Sequence, residues 1–272
     1  MAKAPLELNC VVTQMIQISP VNVIIRVVPD DWELPDFKPG QFAVLYLPGS
    51  TSRCENSVAE ENPSDPDKMI RRAYSIASSS KTKEYIEFYI TLVHSGALTP
   101  RIFALKVGDK IGLTSKFTGM FTVDKAPKEA NIVLVATGTG VAPYISMLRS
   151  NILSDTNRKF AVIHGAYNSW DLGYSSELTL LESIAPNFKY LPTISHPQNE
   201  PAAWHGNVGF VQKIWQTDAL EKAWGEKPTP ENTHVFLCGN PYMIDEMVAI
   251  LENEKFVEHK PKVEGQIHVE RW

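Results

Sequence analysis

The first 126 residues show the pattern of a sheet rather than of helices. Residues 41–47 form a short apolar run, and residues 85–93 (YIEFYITLV) combine aromatic and β-branched side chains in partial alternation, as in a half-buried strand. Turn-forming pairs (Pro-Asp, Pro-Gly and Gly-Asp) separate such runs at positions 29–30, 48–49 and 108–109. Short strands divided by turns are typical of an antiparallel sandwich or barrel, so we expect this half to be all-β.

Residues 50–69 (STSRCENSVAEENPSDPDKM), called the acidic segment below, interrupt this pattern. The segment is polar, acidic and proline-bearing, and it has too few apolar residues to form a core of its own. Its composition predicts a flexible surface insertion. An insertion that contacts a partner is the functional alternative.

A different rhythm begins near residue 128. Residues 132–136 (IVLVA) are fully apolar, and Val141, Ile145, Leu148 and Ile152 then recur at helical spacing. The order of strand then helix recurs with strands at 160–163, 190–194 and 235–238 and helices near 175–184, 210–224 and 242–253. This alternation predicts a parallel sheet covered on both faces. We therefore expect two domains, at 1–127 and 128–272.

Composition and charge restrict the classes of function. The chain is 43% hydrophobic and 21% charged, as expected for a globular protein. Its 26 basic and 31 acidic residues give a net charge of −5, which argues against a nucleic-acid or membrane-binding surface. The three cysteines form no closely spaced cluster, and no apolar run resembles a signal peptide or membrane span. We expect a soluble cytoplasmic protein.

Two glycine-containing loops follow predicted strands of the second half. Residues 137–143 (TGTGVAP) contain Gly138 and Gly140 and place a proline in the first helical turn, as in a phosphate-binding loop. Residues 238–243 (CGNPYM) follow another strand in the same way. Glycine also serves a tight turn for steric reasons alone, and Cys238 alone reads as a small core residue. Two such loops at one sheet edge favour a bound dinucleotide.

The β half carries a second candidate group at residues 71–78 (RRAYSIAS). In an extended strand Arg72 and Tyr74 share a face, which sets a phosphate-pairing guanidinium beside an aromatic ring, while Ser75 points the other way. An exposed strand with stray arginines is the alternative. Residues 94–100 (HSGALTP), called the Gly96 loop below, either turn amides towards a second phosphate or only connect two elements. No HExxH, Walker or GxSxG motif supplies a metal or hydrolytic site.

Five motifs in order give the chain a family resemblance. The stretches RAYSIAS at 72–78, GALTPRIF at 96–103, TGTGVAPY at 137–144, HGAY at 164–167 and CGNPYM at 238–243 resemble the ferredoxin–NADP reductase family. The bacterial ferredoxin or flavodoxin reductases are the most similar. The resemblance implies an antiparallel FAD-binding barrel followed by an α/β domain that binds the nicotinamide nucleotide.

The resemblance also implies roles for individual residues. Arg72 would pair with the FAD diphosphate, Tyr74 would lie against the isoalloxazine ring, and Ser75 would hydrogen-bond near flavin N5. Cys238 would shape the pocket in which the nicotinamide approaches the flavin. The further cofactor-binding positions are Ala73, Tyr89, Ile90, Thr91, Ala97, Leu98 and Thr99 for FAD, and Gly138, Thr139, Gly140, Tyr167, Ser195, His196, Gly239, Asn240, Pro241 and Met243 for NAD(P)H.

The last residues add an aromatic side chain to this set. Members of the family commonly bring an aromatic residue near the chain end to the FAD, and Trp272 is similar in position. We expect Trp272 to stack on the isoalloxazine, with stacking on the adenine as the alternative, and Glu270 to belong to the catalytic set. A frayed or simply packed terminus is the structural alternative.

The sequence departs from the family where NADP is selected. Bacterial members usually carry arginines for the 2′-phosphate, and here Tyr167, His196 and Asn207 stand at the corresponding places. Neither tyrosine nor neutral histidine reproduces the bidentate grip of a guanidinium. The resemblance implies NADP(H), and the substitutions predict use of NAD(H) as well.

The implied activity is hydride exchange between FAD and NAD(P)H, coupled to single-electron exchange with ferredoxin or flavodoxin. A basic surface for such an acidic carrier would come from Arg71, Lys81, Lys83, Arg101 and Lys116, which otherwise are ordinary solvated charges. The alternatives are an oxygenase-reductase component, a free-flavin reductase, and a non-enzymatic redox-sensing subunit that binds FAD and nucleotide.

Overall fold

The computed structural model describes residues 7–152, 154–155 and 158–271. Its contacts divide the chain into two units, one ending at Met120 and the other beginning at Phe121. The first unit contains β1 Cys10–Ser19, β2 Asn22–Pro29, β3 Phe42–Pro48, β4 Met69–Ser75, β5 Ile86–Thr91, α1 Thr99–Ala104 and β6 Lys110–Leu113.

The strands of the first unit form a six-stranded antiparallel sheet in the order β4-β3-β6-β1-β2-β5. An antiparallel bridge between Ile76 and Phe88 links the end of β4 to β5 and so closes the sheet into a barrel. Alternate residues face inward, so that Ile25, Leu45 and Phe88 are fully buried in one apolar core. The predicted antiparallel barrel is confirmed.

The second unit is a parallel α/β fold. Its elements are β7 Asn131–Thr137, α2 Ala142–Asn151, β8 Phe160–Ala166, α3 Ser175–Ile184, β9 Phe188–Ile194, β10 Asn207–Val208, α4 Val211–Trp215, α5 Ala219–Trp224, β11 Thr233–Cys238, α6 Pro241–Asn253 and β12 Ile267–Glu270, with single 3₁₀ turns at Val123–Lys125, Gly138–Val141, Ser169–Asp171 and Pro197–Asn199. All strand pairs are parallel, as predicted. Among the described residues, no helix is long and apolar enough to cross a bilayer.

The strand order of this sheet is β10-β9-β8-β7-β11-β12. The chain runs outward from β7 through β8 and β9, then returns to place β11 on the opposite side of β7. The order therefore reverses between β7 and β11, and ligands of open parallel sheets bind at the carboxyl ends of the strands at such a point. The loops after β7 and β11 are the two glycine-containing loops of the sequence.

The prediction of a single helix near 210–224 is wrong. The structure has two short helices there, α4 and α5, and a two-residue strand, β10, before them. Thr217 explains the break, because its Oγ1 donates to the carbonyl oxygen of Ile214 at 2.7 Å and accepts from the backbone N–H of Ala219 at 3.3 Å. These local bonds replace the hydrogen bonds that would continue the helix.

Two histidines of this unit are buried without charge. His164 on β8 is fully buried, and burial lowers its pKa to about 4. His268 on β12 lies with its Nε2 2.9 Å from Nδ1 of His234 and its ring stacked 4.3 Å from that of Phe236. Burial, followed by the nearby His234, His259 and Lys125, lowers the pKa of His268 to about 3.

Both shifts predict a loss of stability in mild acid. The unfolded chain takes up a proton at each of these histidines near their ordinary pKa of 6.5, whereas the folded chain does so only near 4 or 3. The free energy of unfolding therefore falls as the pH drops from about 6.5 towards 4, by about 2 kcal/mol for His164 between pH 7 and 5.

Urea unfolding followed by circular dichroism at the two pH values measures this loss. The His164→Gln variant should show a smaller drop between them than the wild type, whereas exposed His205→Gln, the matched control, should keep the full drop. An equal drop in all three proteins would contradict the assignment.

Candidate functional site

The loops after β7 and β11 touch each other at the switch point. A Cβ on Gly140 would lie 2.4 Å from the carbonyl oxygen of Cys238, and one on Gly239 would lie 2.3 Å from Oγ1 of Thr137. Gly239 also has a φ of +134°, which side chains rarely adopt. The N–H of Asn240 donates to Thr137 Oγ1 at 2.8 Å. Glycine at both positions is therefore what lets the two backbones approach.

Gly138 and the buried His164 shape the first loop. Gly138 adopts the left-handed conformation with φ +53°, and nothing lies within 4 Å of where its Cβ would be. Its carbonyl oxygen lies 2.9 Å from His164 Nε2, and the hydroxyl of Tyr190 lies 3.4 Å from Nδ1. A carbonyl only accepts, so the neutral ring donates from Nε2. Sequence reasoning missed this role of His164, although a histidine inside an apolar strand (FAVIHGA) is its visible sign.

Cys238 and Glu270 stand side by side at the ends of β11 and β12. They are register partners, and Cys238 Sγ lies 3.7 Å from Glu270 Oε2. Cys238 is fully buried, whereas Glu270 is partly exposed. The structure thus brings together two residues that were predicted from separate parts of the chain.

Tyr144 on α2 holds the two central strands beneath this edge. Its hydroxyl contacts the carbonyl oxygens of Phe236 at 2.8 Å and Val135 at 3.0 Å. Burial, with smaller contributions from Cys238 and Glu270, raises the pKa of Tyr144 well above its usual value, so the hydroxyl keeps its proton. The motif TGTGVAPY contains this tyrosine, but its side chain is fully buried and links two strands instead of facing a ligand at the surface.

The second loop continues into α6 through a capped helix start. The Asn240 side chain accepts from the N–H of Tyr242 at 2.9 Å, and Pro241 occupies the first turn. Asn240 and Pro241 are exposed, whereas Met243 is 5% exposed and packs in the core between α6 and the sheet. Thr139, in the first loop, is half-buried.

A further group lies where β8 and β9 end. Tyr167 is 64% exposed and packs edge-on against the His196 ring at 5.1 Å. Ser195 Oγ lies 2.8 Å from His196 Nδ1. These three predicted residues are therefore neighbours. Asn207 uses its side-chain amide within the sheet, donating to the carbonyl oxygen of Pro192 at 3.0 Å.

In the barrel, the predicted FAD-binding residues of β4 alternate between the two faces of the strand. Arg72 is exposed, Tyr74 and Ala73 are half-buried, and Ser75 is buried on the opposite face from Tyr74. The Tyr74 ring packs edge-on against Phe88 with centroids 6.4 Å apart. Burial raises the pKa of Tyr74, so its hydroxyl remains protonated.

The predicted residues of β5 differ in what they expose. Tyr89 is 4% exposed, and Ile90 is 1% exposed and belongs to the barrel core, so any cofactor contact of Ile90 would come from its backbone. Thr91 is exposed, and its hydroxyl donates to the side-chain oxygen of Asn22 at 2.8 Å.

The Gly96 loop is closed on itself at the start of α1. The N–H of Val93 donates to Thr99 Oγ1 at 2.9 Å. Leu98 is 2% exposed, and Ala97 is half-buried. The Thr99 hydroxyl also donates to the Val93 carbonyl oxygen at 3.3 Å, so it fixes the conformation of the loop.

One predicted surface charge is wrong. Arg101 is 5% exposed, and its Nε and Nη2 both donate to the carbonyl oxygen of Gly49, at 3.2 and 2.7 Å, while its Nη1 pairs with Glu60. A guanidinium that is buried by its own partners cannot contribute to a docking surface. The remaining predicted basic residues, Arg71, Lys81, Lys83 and Lys116, are exposed. Trp272, the predicted stacking residue, lies outside the described residues.

These arrangements fit the two expected cofactors. At the switch point, the left-handed Gly138 leaves open space beside its backbone, as a phosphate group requires. On the barrel, the exposed guanidinium of Arg72 lies on the same strand face as the half-buried ring of Tyr74, a donor set that suits a diphosphate and an aromatic ring.

Two family models match the chain. The oxidoreductase FAD-binding domain matches residues 58–119, and the oxidoreductase NAD-binding domain matches residues 134–249. The first match lies within the barrel unit and the second within the α/β unit.

Individual proteins give the same result. A flavodoxin/ferredoxin–NADP reductase of Shigella flexneri is 31% identical over 177 residues, covering 65% of this chain and 70% of that protein. Its counterpart in Buchnera aphidicola subsp. Baizongia pistaciae is 31% identical over 206 residues, covering 75% of this chain and 81% of that protein.

The fold agrees with these relatives. The structure of a ferredoxin NADP⁺ reductase from Neisseria gonorrhoeae, with bound FAD and NADP, superposes with a TM-score of 0.79 over 96% of this chain and 97% of that one, at 22% identity. The resemblance seen in the five sequence motifs is therefore confirmed. The chain belongs to the flavodoxin/ferredoxin–NADP reductase family of FAD-dependent oxidoreductases.

Proposed function

We propose that this protein passes electrons between NAD(P)H and a small carrier protein, ferredoxin or flavodoxin, by way of FAD. The observation that carries the proposal is the pair of glycine loops in contact at the switch point of the parallel sheet, with Cys238 and Glu270 beside them. The relatives at 31% identity carry this activity in their names.

The barrel would hold the FAD. Arg72 and the Gly96 loop would bind its phosphates, and Tyr74 would hold the ring with a protonated hydroxyl that adds no charge beside it. When bound, FAD supplies the exchange between a two-electron hydride and single electrons. The protein residues therefore bind and orient rather than react.

The α/β unit would hold the nicotinamide nucleotide. The first glycine loop would receive the diphosphate, with His164 fixing the direction of the Gly138 carbonyl. Cys238 and Glu270 would orient the nicotinamide end, with the thiol as a small apolar wall and the carboxylate as a hydrogen-bond acceptor.

The carrier would dock on exposed basic residues of the barrel. Arg71, Lys81 and Lys116 are exposed, and Lys83 is exposed while paired with Asp36 at 2.5 Å. Ferredoxins and flavodoxins offer an acidic surface to such charges, and the attraction would speed their encounter.

The nucleotide site supports weak discrimination between NADPH and NADH. His196 is held between Ser195 and Tyr167, and no guanidinium belongs to this group of predicted residues. A charged hydrogen bond to phosphate contributes more than a neutral one. We expect NADH to be used alongside NADPH.

The visible spectrum tests the proposed function. The purified protein should show bound flavin, lose its colour on anaerobic addition of NADPH, and then reduce cytochrome c in a reaction that depends on added ferredoxin or flavodoxin. A colourless protein, or a flavin that the nucleotides leave oxidised, would refute the activity. Dye reduction without carrier-dependent cytochrome reduction would refute the proposed partner.

Substitution of Gly140 tests the nucleotide site. The Gly140→Ala Cβ would overlap the Cys238 carbonyl oxygen at 2.4 Å and push the two loops apart. The KM for NADPH should rise roughly tenfold or more, with flavin content unchanged. Gly225→Ala is the control, because Gly225 also has a φ that side chains rarely adopt, +72°, at the end of α5. It lies at the opposite edge of the sheet, where β8 begins and Lys159 Nζ donates to the Trp224 carbonyl oxygen. Equal KM values in the two variants would contradict the assignment.

Steady-state kinetics test the nucleotide preference. The ratio of kcat/KM for NADPH over NADH should lie within about tenfold, and His196→Arg should raise it by roughly tenfold, through a new bidentate phosphate contact. His205→Arg adds the same charge at an exposed position and should leave the ratio unchanged. A strong wild-type preference for NADPH would overturn this expectation.

A further inference from the structure

The acidic segment packs onto the Gly96 loop. The N–H of Cys54 donates to the carbonyl oxygen of Pro100 at 2.9 Å, and the N–H of Val58 donates to that of His94 at 3.0 Å. Two backbone hydrogen bonds therefore join one end of the segment to both ends of the loop. A segment whose composition predicts a flexible surface insertion thus contacts a loop assigned above to FAD.

Glu60 is the centre of this contact. Its side chain is 7% exposed, and its carboxylate pairs with Arg53 Nη1 at 2.7 Å and with Arg101 Nη1. The second carboxylate oxygen accepts from the N–H of Ser64 at 2.6 Å. Burial alone would raise the pKa of Glu60, but the hydrogen bonds from Arg101 and Ser64 outweigh it and hold the pKa at about 2. The carboxylate is therefore ionised at neutral pH.

Both guanidinium groups also donate to carbonyl oxygens of the Gly96 loop. Arg53 donates to the carbonyl oxygens of Gly96 at 2.8 Å and His94 at 3.0 Å. Arg101 donates to that of Ala97 at 2.5 Å. Three carbonyls of one short loop are thus held by two arginines, and Glu60 fixes the position of both.

This arrangement suits a loop that meets an anion. The carbonyl oxygens, which would repel a phosphate, are turned towards guanidinium groups. In the part of the chain that the structure describes, the N–H groups of Ala97 and Leu98 donate to no backbone carbonyl. Two arginines and one glutamate also leave a net charge of +1 beside the loop.

We infer that Glu60 is a positioning residue for FAD: by holding Arg53 and Arg101, it fixes the Gly96 loop in the conformation that binds the cofactor's phosphates. The acidic segment is accordingly part of the FAD site. This inference rests on the proposed function, since it requires that the Gly96 loop binds FAD. Removal of the carboxylate leaves the half-buried Arg53 and the buried Arg101 without their counter-charge, and the loop carbonyls lose their fixed donors.

The test compares Glu60→Gln with Glu61→Gln. Glu61 is the next residue of the same segment and is exposed, so its variant makes the same change of charge without touching the network. Quenching of flavin fluorescence on titration of each apoprotein gives the Kd for FAD. We expect a rise of roughly tenfold or more for Glu60→Gln and no change for Glu61→Gln. Glu61→Gln should also keep the wild-type kcat and KM for NADPH, because Glu61 is exposed and lies outside the network.

The outcomes separate the two proposals. Failure of the wild-type apoprotein to bind FAD would refute the proposed function. Wild-type binding with an unchanged Kd in Glu60→Gln would overturn the role of Glu60 alone. If Glu60→Gln does not fold, Arg53→Lys decides. Lysine keeps the positive charge but lacks the planar guanidinium that donates to the Gly96 and His94 carbonyl oxygens. A higher Kd for FAD in this variant supports the inference, and a wild-type Kd overturns it.

Discussion

The close approach of two backbones between β7 and β11 is the constraint on which the nucleotide-binding half depends. The Gly140 and Cys238 backbones lie so near each other that no Cβ fits at Gly140, and Gly239 is similarly pressed against Thr137. The loops can meet in this way only because both strands end at the same edge of a parallel sheet. The two glycine-containing loops, with Gly138 in the first and Asn240 in the second, are arranged around that contact.

Two buried polar side chains, Tyr144 and His164, stabilise the strands and the loop that form this contact. Tyr144 bonds carbonyls of both central strands, and His164 bonds the Gly138 carbonyl. Both side chains are fully buried, and burial favours their neutral forms. The geometry of this edge is therefore set by neutral hydrogen-bond donors, without a buried charge.

In the barrel, charged rather than neutral side chains fix the carbonyl oxygens of a loop. The Gly96 loop is held by Arg53 and Arg101, and Glu60 pairs with both guanidinium groups. A buried ion pair seldom adds much net stability, because the desolvation of both partners offsets their attraction. It does specify one geometry, which here is that of the Gly96 loop.

The sequence by itself determined the architecture, and it predicted which loops and strands carry the candidate chemistry. Alternation of apolar and polar residues predicted the antiparallel barrel, and alternation of strands and helices predicted the parallel sheet, because both patterns are local and follow from the periods of 2.0 and 3.6 residues. The loops at Gly138 and Gly239 were visible for the same reason. Sequence motifs also placed the chain in its family, which the relatives confirm.

Only the tertiary structure decided which polar side chains are exposed at the surface and which are buried in hydrogen bonds inside the protein. Arg101 read as a docking charge but is buried by Glu60, 41 positions away in the chain. His164 lies 26 positions from the Gly138 carbonyl that it holds, and Thr217 ends a helix whose apolar spacing continues past it. Periodicity reports the faces of single elements, whereas the partner of a long polar side chain is set by contacts between elements that are distant in sequence.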